Sequence, residues 1–159
     1  MRLPIKNIAP LVPHSGDMVL IDEILSYDDE GLVAIARLTQ DHVFAENGSV
    51  PNYIAIEIMA QAVAAWSGCH CVDRGKPITL GFLLGSRQYE LFCDVLPINS
   101  VLKITIKSSL QDSSGFGVFQ AEMHWLSGEK PLLYPANGLL AKAGLSVFSP
   151  KDENYVHKL

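Results

Sequence analysis

The chain is poor in the features that mark secreted, membrane-spanning or nucleic-acid-binding proteins. It has only 3 cysteines, an odd number, so no disulfide framework is implied and a cytoplasmic location is the natural expectation. Basic residues are scarce: 12 Lys and Arg against 17 Asp and Glu give a net charge of −5. That balance argues against nucleic acid as a partner, although it leaves room for a local basic patch. No apolar stretch follows Met1-Arg2-Leu3-Pro4-Ile5-Lys6, so no secretory signal is expected. The longest apolar run is interrupted by Asn52, Glu57, Gln61 and Ser67, and reads as a buried helix rather than a membrane span. Glycine-rich loops before a helix are lacking, which removes the usual phosphate cradle. With 48% hydrophobic and 18% charged residues, disorder is excluded as well.

What is present fits one domain over residues 1–159, with an irregular arm over 1–13 and a charged, frayed tail over 150–159. Met18–Ser26 and Leu32–Thr39 read as strands joined by the acidic turn Asp28-Asp29-Glu30-Gly31. Pro51 and Asn52 stand where a helix should begin, the asparagine as its cap, and that helix should run to about Cys69. Its residues are apolar on every side, so it should be buried all round. Leu80–Phe92 is a further strand. Leu102, Ile104 and Ile106 alternate with Lys103, Thr105 and Lys107, and Phe119, Ala121, Met123 and Trp125 share a face opposite Gln120, Glu122 and His124. Gly138–Phe148 forms the last strand. One helix that is apolar all round must be wrapped, so the pattern predicts an α+β domain with a curved antiparallel sheet around it.

The most informative single residue is Glu57. Apart from the Tyr53 phenol it is the only ionisable group between Val50 and Trp66. A carboxylate dehydrated by such neighbours should have a raised pKa, which suits a group that holds and releases a proton near neutrality. The alternative is a structural acid, hydrogen-bonded in the core or facing a partner chain. Gln61, one turn on, either orients that carboxyl group, binds substrate, or is satisfied at a dimer seam. Cys69-His70-Cys71 has no second ligand pair at suitable spacing, so no metal is expected. Tyr53, Phe82, Leu83 and Leu84 either line an apolar ligand channel or pack in the core.

Three stretches carry a resemblance. Leu11-Val12-Pro13-His14-Ser15-Gly16-Asp17-Met18-Val19-Leu20-Ile21-Asp22 looks like the opening LPHRxPxLLVD of the hotdog-fold beta-hydroxyacyl-[acyl carrier protein] dehydratases. Val50-Pro51-Asn52-Tyr53-Ile54-Ala55-Ile56-Glu57-Ile58-Met59-Ala60-Gln61 looks like their central helix, MPGVLxxEAMAQ, and Phe92–Ser100 resembles their RPVxPGD loop. The divergent branch of aryl polyene lipid biosynthesis is the nearest fit. The resemblance implies a hotdog fold and dehydration of a 3-hydroxyacyl thioester, carried by acyl carrier protein or CoA, without a cofactor. It makes Glu57 the catalytic acid, working with a histidine across a dimer interface. It also makes the amides at Asn52 and Tyr53 the holders of the thioester oxygen.

One departure matters. The family's GHFPG histidine precedes this helix, and here the loop reads Ala45-Glu46-Asn47-Gly48-Ser49-Val50. His42, which opens the shortened loop, is the first replacement to consider; its alternative is a loop histidine bonded to local backbone. His14 is the second, with a turn role as its alternative. A third solution is a histidine from a different hotdog subunit, making this chain one half of a mixed dimer. Two other functions stay open: a hotdog thioesterase, in which the helix acid activates water, and a non-catalytic subunit of a heterodimeric dehydratase.

Overall fold

Alternating apolar residues build the centre of the main sheet. A computed structural model describes residues 1–150; all but the first residue of the expected frayed tail lies outside them. The elements in chain order are β1 (Glu23–Tyr27), β2 (Gly31–Leu38), β3 (Ser49–Pro51), α1 (Ala55–Asp73), β4 (Phe82–Leu91), β5 (Val95–Pro97), β6 (Ser100–Gln111), β7 (Phe116–Gly128) and β8 (Leu139–Phe148). Six of the strands form one antiparallel sheet in the order β1-β2-β6-β7-β8-β4, while β3 and β5 pair as a separate ribbon. Leu102, Ile104 and Ile106 of β6, with Phe119, Ala121 and Met123 of β7, are buried on one face. That face receives α1 through Ala55, Ile58, Met59, Ala62, Ala65, Trp66 and Cys69. This is the wrapped helix of the hotdog fold, α+β as the alternation requires. Among the described residues, no helix is long and apolar enough to cross a membrane.

The structure corrects several local expectations. Met18–Leu20 is not strand, because its backbone groups are taken by a side chain. The Leu20 N–H donates to Gln61 Oε1 at 2.7 Å, and Gln61 Nε2 donates to the Met18 carbonyl at 2.5 Å. The helix extends past Cys69 to Asp73, where its last turns are tied to the β1–β2 turn. Trp66 Nε1 donates to the Asp28 carbonyl at 2.8 Å, His70 Nε2 lies 2.9 Å from the same oxygen, and the Tyr27 hydroxyl donates to Asp73 at 2.6 Å. A 3-10 turn over Asn52–Ile54 precedes the helix, and no side chain caps it. The β3–β5 ribbon has strands of three residues, too short to show a period in the sequence.

The largest correction concerns the helix surface. Tyr53 and Glu57 are exposed, and Ile56, Ala60, Ala64, Ser67 and Cys71 are only half-buried. They follow helical spacing, so they form one open stripe along α1. The flank next to this stripe is sealed closely by the N-terminal arm. A Cβ on Gly68 would lie 1.9 Å from the Leu11 carbonyl oxygen, so only glycine permits this approach.

The two sheet edges are treated differently. Ile5 exchanges both backbone hydrogen bonds with Ile24, at 2.9 and 2.8 Å, so the arm covers part of the β1 edge. Among the described residues no strand pairs with the outer edge of β4. Its Leu83 and Leu84 are 41% and 60% exposed, which rules out core packing for them. An open, apolar edge strand is a template for another chain.

Candidate active site

The start of α1 is assembled from three segments. The β3–β5 ribbon delivers the chain to Pro51, and the Asn52 amide nitrogen donates to the Cys93 carbonyl at 2.9 Å. Asn52 therefore ties the helix start to the β4–β5 connection, which is why it does not act as a side-chain cap. From the edge strand, the Tyr89 hydroxyl donates to the Tyr53 carbonyl at 3.2 Å. Burial is the main reason that the Tyr89 phenol is held above its ordinary pKa, and the nearby Cys93 and Glu57 push the same way.

Glu57 stands in the first turn of α1, where the helix dipole favours negative charge. Its carboxylate is exposed and has no hydrogen bond or ion pair among the described residues. The dehydrating surroundings suggested by the sequence are therefore not supplied by this chain. A cleft of about 460 Å³ lies at the shortened loop, between Ala45–Gly48 and Ile98–Asn99, and a smaller one of about 160 Å³ runs along β1, β2 and β6. Glu57 lines neither.

The other expected site residues are placed apart from it. His42 Nδ1 accepts the Phe44 N–H at 3.2 Å, and the charged neighbour of its ring is Asp22. Burial lowers its pKa, with Asp22 opposing that more weakly. In the neutral ring the proton then sits on Nε2, so no ring nitrogen is free to take another without breaking the loop contact. His14 is half-buried and its Nδ1 has no hydrogen-bond partner. Gln61 is only 3% exposed, and its amide oxygen and nitrogen are each bonded to the N-terminal segment, at Leu20 and Met18, which makes it a buried clamp in this chain. Cys69 is buried, and that burial pushes its thiol up to about 11, away from nucleophilic character. The residue that sequence reasoning missed is Tyr89. Nothing in the spacing of β4 marks it, because a bulge turns it toward the helix.

A helix wrapped by an antiparallel sheet, with an acid at its first turn, defines a protein of the hotdog fold with a candidate proton-transfer group. The family described as ApeP-like, ApeP dehydratase, matches residues 6–158, and the chain belongs to that family. It is 28% identical over 101 residues to the 3-hydroxyacyl-[acyl-carrier-protein] dehydratase FabZ of Streptococcus uberis, covering 60% of this chain and 69% of that one. Among solved structures it resembles the dehydratase heterocomplex ApeI:P from Xenorhabdus doucetiae, with a TM-score of 0.82 and 27% identity over 99% of this chain and 97% of that one. Cj0977, a virulence protein of Campylobacter jejuni, shares the fold alone, at a TM-score of 0.64 and 13% identity over 91% and 87% of the two chains.

Proposed function

We propose that this chain is the acid-bearing half of a two-chain 3-hydroxyacyl thioester dehydratase of fatty acid or polyene lipid biosynthesis, working in the cytoplasm. The observation that carries the reading is the position of Glu57. It lies on the open stripe of α1, whose start is tied to an edge strand with a free outer side, and no histidine is bonded to it among the described residues. A second hotdog subunit seated on β4 and that stripe would dehydrate the carboxyl group and present the missing imidazole. The likeness to a heterocomplex of dehydratases supports a different chain in that role rather than a second copy.

In this scheme the partner's imidazole removes the C2 proton of a 3-hydroxyacyl thioester, on acyl carrier protein or CoA. The C2 electrons form the C2=C3 bond as the C3–O bond breaks. Glu57 protonates the departing hydroxyl, which leaves as water, and solvent returns the proton from imidazolium to carboxylate. Main-chain amides at Asn52 and Tyr53, at the positive end of the helix, stabilise the thioester oxygen as it gains charge.

The test assays the chain alone, the partner alone and the mixture. Enoyl product from the mixture only, lost with Glu57→Gln, is the expected result. Thiol release would mark a thioesterase instead. A second reading, a subunit that shapes its partner without chemistry, is favoured by the unbonded carboxylate and by the ordinary preference for an acid in a first helical turn. Full activity of the Glu57→Gln mixture would establish that second reading.

A further inference from the structure

The outer strand β4 is irregular at one point. Arg87 pairs with Gly144 and Glu90 with Lys142, so Gln88 and Tyr89 together oppose the single residue Ala143. This is a β-bulge, and Gln88 adopts a positive φ of 51°, a conformation that a residue with a side chain rarely takes. The irregularity has a clear local effect: Arg87, Gln88 and Glu90 are exposed, whereas Tyr89 between them is half-buried against the core. Its hydroxyl meets the helix start at the Tyr53 carbonyl, 3.2 Å away, one turn before Glu57. Uncommon backbone conformations of this kind persist where the surrounding structure holds them, and they cluster at functional sites.

We propose that Tyr89 is a positioning residue for the Glu57 site, its phenol fixing the first turn of α1 from the strand against which a partner subunit docks. The role rests on the reading of Glu57 given above. The hydroxyl donates to the Tyr53 carbonyl, so it ties the turn that leads into α1 to the edge strand. Neither the 3-10 turn nor α1 has a side-chain cap, so this bond and the one from Asn52 to the Cys93 carbonyl restrain the helix start that carries Glu57. The same strand offers its free edge to the second chain, so docking and acid placement share one element.

The experiment uses Tyr89→Phe, which removes only the hydroxyl. In the mixed complex kcat should fall about 5–10-fold while KM changes less than about twofold, the pattern of lost transition-state alignment rather than lost binding. In the chain alone, hydrogen exchange at the Ile56 amide should speed up at least ~10-fold, with Val63 in mid-helix unchanged. Wild-type kcat, or Ile56 protection unaltered by the substitution, would overturn the proposal. Glu57→Gln in the same assay separates the two failures. Activity surviving there defeats the proposed function, whereas activity lost there but untouched by Tyr89→Phe defeats only the role of the phenol.

Discussion

Replacing Gln61 by methionine should weaken the fold far more than it weakens the chemistry. The side chain is 3% exposed and closes two contacts to the N-terminal segment, at 2.7 Å from the Leu20 N–H and 2.5 Å to the Met18 carbonyl. Methionine keeps the length and removes both polar partners. Leu20 is 4% exposed, so its N–H is left without a partner in a dry place, which costs about 1–3 kcal/mol. Met18 is 44% exposed, so water can reach its carbonyl and the second loss is about 0.5–1 kcal/mol. The sum, roughly 1.5–4 kcal/mol, corresponds to a Tm lower by about 3–16 °C for a domain of this size. Urea titration should show the midpoint moved and the slope unchanged. In the mixed complex below the melting range, kcat and KM should stay within about twofold of wild type, since no polar atom of Gln61 is left for substrate. A stable Gln61→Met chain with its dehydration lost would refute the clamp and return Gln61 to the substrate.

Gly68→Ala should lower stability by about 1–3 kcal/mol and speed proteolysis of the arm, because the new methyl collides with the Leu11 carbonyl; Gly85→Ala, with nothing within 4 Å of its Cβ, is the control. Leu84→Lys should leave the isolated chain as stable as wild type within about 0.5 kcal/mol but abolish association with the partner in light scattering. Association at wild-type strength would move the interface off β4. The pH response follows from His42, whose pKa is lowered in the fold. The folded state then binds that proton less readily than the unfolded chain does, so stability falls as the pH drops below about 6.5. His42→Asn keeps an acceptor for the Phe44 N–H and removes the titration, so its urea midpoint should fall less between pH 7.5 and 5.5. Identical pH dependence of the two proteins would contradict this.

Much of the architecture was legible because it depends on local periodicity. The alternation at Leu102–Ile106 and Phe119–Met123 named the buried face correctly, and the apolar run after Pro51 named the helix. The motif over Val50–Gln61 led to the right family, and the absence of a histidine at Ala45–Val50 left a second subunit as one of three solutions, beside His42 and His14. The failures share one cause. Met18–Leu20 reads as strand until Gln61, far along the chain, takes its backbone groups. Asn52 reads as a cap until Cys93 claims its side chain.

Residue order alone determined the wrapped helix and the antiparallel sheet and singled out Glu57 as the candidate acid, since periods of two and 3.6 residues fix which side chains share a face. Only the tertiary structure decided how wet each of those faces is. Burial depends on what another part of the molecule lays over a surface. Here the arm covers one flank of α1, while Glu57 and Tyr53 on the neighbouring stripe stay exposed.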